Sequence, residues 1–497
     1  MRALRLSVIG LVATIATACT QPYLPSVDRP TTPTSDDLDI IAYIDKRLAE
    51  EYYWLDEVEE KSADFNRRLQ WEEYLDNSLV RLTTNGDDGY TNSNGKRVLY
   101  SYIRETKSTT RGTTTGFGIA LHYTIVKTSK DNDYYGFVVE DVYDGSPAEA
   151  HDIRRGDVIV RIDDDNITPS NYLALFNAIE HNTRSSLSLT LMRQTDSSDY
   201  SVELTTGDYE ATPVAHHEIL DIEGYDRKVG YLAYTGFEGD YDDELIAALA
   251  TLAGEGAQEI ILDLRSNGGG SVLSAIKLAS TLLGPTYNDA LFCTVARNPR
   301  NTSSELLSEF RLEDTGVALG IEQLTIICSK YSASASEIII EGMRGLDIPV
   351  TLVGTTTEGK NCGMDVTRRY VGSIYVEYAP ITFMCFNAKG FGAWGDGITP
   401  DIDLSEDNAL GIKDASYPIP RADWGDATHD VGLAAAIATL TGSNATTTTT
   451  RTEDGFGGSL GSSLNGSLDG DHPTAFDAIS PTAAIDRPAK GSLLYRE

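Results

Sequence analysis

The chain has 497 residues, 40 of them lysine or arginine against 75 aspartate or glutamate, for a net charge of −35. That balance excludes nucleic acid and anionic membrane surfaces as partners, because phosphate binding needs clustered Lys and Arg. The length predicts roughly two to four domains of about 100 to 200 residues each, with cores large enough to stand without disulfide or metal staples.

The chain opens on "MRALRLSVIGLVATIATAC", in which Arg2 and Arg5 precede an apolar run from Leu6 to Ala18. The run is shorter than the ~20 residues that cross a bilayer and predicts a secretory signal over 1–18. Its end, Ala16-Thr17-Ala18-Cys19, resembles the bacterial lipobox, which implies lipidation of Cys19 and a mature N-terminus there. The Pro-, Thr- and Ser-rich stretch that follows, 19–37, suits a tether between lipid and globule.

From 38 to 108, "IIAYIDKRLAEEYYWLDEVEE" and "WEEYLDNSLVRL" repeat apolar residues at three- and four-residue intervals, predicting a small helical N-terminal domain. Over 109–207 turns and strands take over, with one helical stretch near "NYLALFNAIEHN", and predict a compact β-rich domain. From 208 to 442 apolar strands alternate with helices: "VGYLAY", "EIILDL", "QLTIICS" and "VTLVG" against "YDDELIAALATLAG", "SVLSAIKLASTLLG" and "SEIIIEGMRGL". Continuous β-branched strands between helices predict an α/β core with a mainly parallel sheet covered on both faces. "YVGSIYVEYAPITFMCFN" predicts a hairpin, and "VGLAAAIATLTG" a last helix. The stretch 443–497 is low in complexity and is expected to be a disordered tail.

Beyond Cys19 the cysteines are Cys293, Cys328, Cys362 and Cys385. In an oxidising compartment they permit two disulfides by three pairings, of which Cys362 with Cys385 is the preferred one; Cys328, inside "LTIIC", reads as a buried thiol. Their spacing matches no zinc motif, and neither metal nor cofactor is expected.

Two stretches stand where a predicted strand turns into a helix. "DLRSNGGG", Asp263–Gly270, offers backbone N–H groups that could hold a phosphate or the oxyanion of acyl transfer; it lacks the P-loop pattern. "KYSASASE" alternates Ser332, Ser334 and Ser336 with alanines, and Ser334 and Glu337 have capping-box spacing. A serine at such a turn projects above the carboxyl ends of the strands, with the next amide as oxyanion donor. No histidine, His216 and His217 included, completes a Ser-His-Asp pattern, but a lysine whose pKa burial lowers can replace histidine as the base. Lys360 follows the next predicted strand.

Together "DLRSNGGG", "SASASE", "TTTEGK" and "GDGITPDI" resemble, in order and spacing, the motifs of the carboxy-terminal processing, or tail-specific, serine proteases, and the resemblance runs from Gly116 to Leu440. It implies a crotonase- and Clp-protease-like core behind a PDZ domain, with Ser334 as nucleophile, Lys360 as base, and Gly269 or Gly270 with Ala335 as oxyanion donors. It also makes "GFGI", Gly116, Phe117, Gly118 and Ile119, the PDZ loop that takes a peptide's terminal carboxylate, with Phe117 and Ile119 lining a pocket. Protein or peptide substrates with free apolar C-termini follow from it, while the lipobox-like ending at Cys19 implies a lipid-anchored place in the bacterial cell envelope, periplasmic or outer-membrane.

One departure stands out. Family members often carry a glutamine four residues after the lysine, and Met364 occupies that place here; Gln323 and Glu337 are the candidate substitutes. The rival reading is therefore a catalytically inactive, lipid-anchored PDZ scaffold. A lipase or esterase lacks its G-x-S-x-G elbow around Ser334.

Overall fold

The computed structural model describes residues 32–91, 95–106, 114–127, 135–168, 170–193, 198–404, 422–442, 477–478 and 492–495. The predicted signal, Cys19 and most of the linker and tail lie outside them. Among the described residues no helix is long and apolar enough to cross a membrane.

The first helix runs Ser35–Glu51. Thr34 starts it with a capping box: its hydroxyl accepts from the Asp37 amide at 3.1 Å, and Asp37 Oδ2 accepts from the Thr34 amide at 2.7 Å. Ile40, Ile41, Ile44 and Leu48 form its buried stripe. The helical pattern continues in sequence through Glu60, yet the helix stops and a second begins at Leu55. Tertiary bonds explain the break: the Tyr53 amide donates to the Ile381 carbonyl at 2.8 Å, and the buried Tyr52 hydroxyl donates to Asp88 Oδ2 at 2.6 Å.

The β-rich unit is an antiparallel sheet ordered Asp199–Thr205, Ser186–Met192, Val158–Ile162, Tyr135–Val142, Ile119–Lys127. The helix Tyr172–Glu180 buries Leu175, Phe176 and Ile179 against it. Asp477–Ala478, from the tail, pairs antiparallel along the far end of Ile119–Lys127.

The core holds the predicted parallel sheet. Val214–Leu220 runs antiparallel to Val229–Tyr234, after which Glu259–Asp263, Leu324–Cys328, Val350–Gly354 and Ile402–Asp403 add in parallel. Helices Asp242–Gly254, Val272–Leu283 and Ala335–Gly345 cover one face, and Val431–Leu440 packs on the other.

A second, largely antiparallel sheet goes beyond the predicted hairpin. Cys362–Val371 pairs with both Ile374–Ala379 and Ile381–Asn387, and Leu291–Arg297, Leu307–Arg311 and Tyr102–Glu105 extend it. The N-terminal helices share one apolar core with this sheet, through Cys362, Met364, Val366 and Tyr378. The preferred disulfide does not form: Cys293, Cys328, Cys362 and Cys385 are all free, buried thiols. Cys362 instead donates to the Asp87 carbonyl at 3.3 Å and is spent on packing.

Candidate active site

Three neighbouring parallel strands end at Asp263, Cys328 and Gly354, and the loops leaving them meet above the sheet. The serine loop is sewn to the glycine loop. Ser329 Oγ donates to the Arg265 carbonyl at 2.5 Å, Ser332 Oγ to that of Leu264 at 2.8 Å, and Ser336 Oγ to that of Asn267 at 2.9 Å, where the Ala333 amide also donates at 3.2 Å. Ser332 and Ser336 are thereby structural. Every one of these donors meets a carbonyl that the end of a strand leaves without a ladder partner.

Ser334, fully buried, stands at φ 58° and ψ −111°, in the left-handed half of backbone space. A non-glycine residue held so costs about 1–3 kcal/mol and persists only where surrounding bonds over-determine it. The next residue, Ala335, opens the helix, so its N–H has no partner within the helix and lies at the positive end of the dipole. Gly269 is packed against this turn at φ 98°: a Cβ there would lie 2.8 Å from Ser334 Cβ and 3.0 Å from the Ala335 nitrogen. Its own amide donates to Asn267 Oδ1 at 2.9 Å. Of the two glycine donors expected, that leaves Gly270, which stands at φ 141°.

Lys360 arrives on the third loop, 2% exposed, and its amine is buried without a hydrogen-bond partner. Burial pushes its pKa below the ordinary lysine value, against the nearby Cys362, Asp88, Glu358 and Cys385, which pull it up. The amine lies over the Tyr100 ring, 4.5 Å from its centroid.

Glu337 joins the two loops. Its Oε2 accepts from the amides of both Ser334 (2.9 Å) and Lys360 (2.8 Å), and its Oε1 from the Gly359 amide (2.8 Å) and Thr357 Oγ1 (2.6 Å). Burial raises its pKa to about 7 although all these hydrogen bonds favour the ionised form. It therefore fixes the backbone of Lys360 and makes no bond to the amine. Gln323 is elsewhere, donating to Glu259 Oε1 at 2.9 Å. His216 is on the edge strand Val214–Leu220, facing Glu218, and His429 bonds Asp426.

In the β unit, Gly118 has φ 79°, and a Cβ on it would fall 2.0 Å from Ser146 Cβ. The carbonyls of Phe117 and Gly118 accept from Ala148 and Tyr143, whereas no backbone carbonyl among the described residues accepts from their amides. Phe117 and Ile119 are buried in the unit's core. The Leu121 amide on the same strand donates to Glu180 Oε1 at 2.6 Å.

Two contacts between this unit and the loops were invisible in sequence. The His122 ring packs edge-on against Tyr331, three residues before Ser334, with centroids 5.0 Å apart. Ser266, in the glycine loop, donates to Glu140 Oε1 at 2.5 Å. No local pattern marks either pair, since each joins residues more than 100 positions apart.

Residues 228–404 match the model of peptidase family S41, and residues 120–204 match that of a PDZ domain. Among curated proteins, a "Probable CtpA-like serine protease" of Staphylococcus aureus (strain N315) is 24% identical over 264 residues, 52% of this chain and 48% of its own length. The chloroplastic carboxyl-terminal-processing peptidase 2 of Arabidopsis thaliana is 25% identical over 309 residues, 61% of this chain and 55% of its own. The chain thus spans about half the length of the curated relatives it matches. The crystal structure of an S41-protease candidate from Bacteroides fragilis NCTC 9343 shares the fold, with a TM-score of 0.60 at 20% identity over 80% of this chain and 97% of that one.

Proposed function

Starting from a chain that belongs to peptidase family S41 and carries a PDZ domain, we propose that it is a serine endopeptidase working through a Ser334–Lys360 dyad on proteins whose C-terminal tails the PDZ domain captures. The observation that carries this reading is Glu337, whose one oxygen accepts from the amides of both Ser334 and Lys360 while the lysine amine beside it is buried and unpaired.

Neutral Lys360 takes the proton of Ser334 Oγ as the oxygen attacks the scissile carbonyl. The oxyanion that forms is met by the amides of Ala335 and Gly270. Lys360, now charged, passes its proton to the departing amine, and a water molecule, deprotonated in turn by Lys360, hydrolyses the acyl-serine. An ammonium could not begin this sequence, so the lowering of the Lys360 pKa by burial is what the chemistry requires.

Upstream, the amides of Phe117 and Gly118 suit a terminal carboxylate, and among the described residues the outer side of the strand Ile119–Lys127 is paired at Val126 and Lys127 alone, by Asp477–Ala478, so a peptide can add as a further strand along the rest. The lipobox-like ending at Cys19 supports a lipid-anchored protein of the bacterial cell envelope. Intact-mass measurement of the mature protein tests it: a diacylglyceryl-sized increment on Cys19 is expected, and a free cysteine or an unprocessed signal would refute it.

Ser334→Ala and Lys360→Ala should each abolish cleavage of an unfolded protein without changing the thermal melt; cleavage retained in either refutes the dyad. A non-catalytic scaffold is the second reading, favoured by Met364 in the place where family members often carry a glutamine. A serine-directed fluorophosphonate separates the two, because a scaffold takes no label at Ser334.

A further inference from the structure

Met364 is buried in the apolar cluster shared with the N-terminal helices, and its thioether, a weak acceptor, makes no hydrogen bond to the lysine amine. We propose that the ring of Tyr100 is the positioning group for the Lys360 amine, supplied by the N-terminal segment of the chain rather than by the peptidase core. The proposal rests on the reading of Lys360 as the base.

The ring centroid is 4.5 Å from Lys360 Nζ, within the roughly 6 Å over which an aromatic face attracts a cation. The ring is itself held from both ends. At the backbone, the amides of Tyr100 and Ser101 donate to Asp88 Oδ1 at 3.1 and 2.8 Å, and Asp88 Oδ2 is fixed by the hydroxyls of Tyr52 and Ser101 at 2.6 and 2.7 Å. At the tip, the Tyr100 hydroxyl donates to Glu358 Oε1 at 3.2 Å, two residues before the lysine. Tyr100 is 7% exposed, so the ring also walls the amine from water.

The choice of group has a chemical consequence. A carboxylate in contact with the amine would hold it as ammonium, whereas a ring face attracts the cation more weakly and leaves it able to give up its proton. The ionisable groups facing Lys360 are Asp88, Glu358, Cys362 and Cys385. Asp88 is occupied by the four donors just named, and Glu358 by the Tyr100 hydroxyl among its contacts.

The test is the rate of fluorophosphonate labelling of Ser334 in the full-length protein, followed against pH. Tyr100→Phe keeps the ring and should stay within about threefold of the wild-type plateau rate at high pH, while Tyr100→Leu and Tyr100→Met should fall by about tenfold or more. In the latter two the acid limb should also move to lower pH, because the ring's stabilisation of the ammonium is gone. Loosened packing that merely admitted water would move it to higher pH. Leucine and methionine variants labelling within threefold of wild type, an acid limb displaced upward, or a phenylalanine variant as slow as leucine would each overturn the proposal. If the melts show that neither aliphatic variant folds, Tyr100→Phe decides: retained labelling supports the ring, and a tenfold loss removes it. A wild-type protein that takes no label refutes the dyad itself, which is a separate result.

Discussion

Glu337 accepts two donors on each oxygen, from both loops. Glu337→Gln replaces one accepting oxygen by a donor that must face these donors. It should cost about 1–3 kcal/mol in chemical denaturation and slow labelling of Ser334 by more than Tyr100→Phe does. The pH dependence carries the same signature. With the Glu337 pKa raised to about 7, the carboxylate that tethers Ser334 and Lys360 is progressively lost as pH falls through 7, while Lys360 becomes charged in the same direction. Activity should therefore fall on the acid side of about pH 7. Stability should move the other way: a carboxyl whose folded pKa is raised contributes its full stabilisation below its unfolded value of 4.5 and loses it as pH rises through about 7. Labelling that declines at pH 6 while the melting temperature holds or rises is the expected pair; parallel decline of both would point to simple acid unfolding. At this scale, Ser334, Lys360 and the glycine loop were legible because each lies in a contiguous motif. Tyr100 was not, because the contact it makes spans 260 positions and no spacing rule connects them.

Among the elements, the strand Ile119–Lys127, paired on its outer side with Asp477–Ala478 at its far end, shows how local geometry can set peptide affinity. The helix Tyr172–Glu180 ends in a carboxylate that accepts from the Leu121 amide, a group an added strand would use. Glu180→Ala should free that amide and tighten binding of a peptide with a free apolar C-terminus, by fluorescence anisotropy; weaker binding would show that Glu180 helps hold the groove open instead. Gly118→Ala is expected to act oppositely. Its Cβ would need space that Ser146 fills, at a φ that disfavours any side chain, so peptide binding should be lost while fluorophosphonate labelling persists. The parallel strands of the core were readable because burial on both faces makes them continuous apolar runs, as in "EIILD" and "LTIIC", every residue of which is buried. The second sheet was only partly readable. Leu307–Arg311 alternates exposed and half-buried residues at an edge, and Leu291–Arg297 includes Thr294 and Arg297, whose guanidinium pairs with Asp365 on the strand Cys362–Val371. The break after Glu51 was likewise hidden, since it is imposed by bonds to Ile381 and Asp88 rather than by a breaker residue.

At the level of the whole molecule, the PDZ unit and the peptidase core have separate apolar cores, and a buried charge network helps to join them. Arg155 of the PDZ unit is 4% exposed. It donates to the Ala422 carbonyl at 2.6 Å and to Asp430 Oδ2 at 3.2 Å, and its guanidinium stacks 3.5 Å from the centre of the Trp424 ring. Asp430 also caps the helix Val431–Leu440 and pairs with Arg265, which in turn grips Asp263 at the end of the central strand. Burial pushes the Asp430 pKa up, but Arg265 and Arg155 together hold it below the ordinary carboxylate value. The PDZ unit is thus docked on the same charge network that supports the glycine loop, and the Glu140 and His122 contacts reach the glycine and serine loops directly. Breaking a buried ion pair by removing one member costs about 3–5 kcal/mol, because the remaining charge is left buried; here Arg265 still faces Asp430, so Arg155→Ala should fall at the low end. Because each unit keeps its own core, the loss should come from the joint and not from either fold. Differential scanning calorimetry should then resolve the variant's melt into two transitions, the lower one belonging to the PDZ unit. A single transition at the wild-type temperature would mean that the joint contributes nothing to holding the two units together.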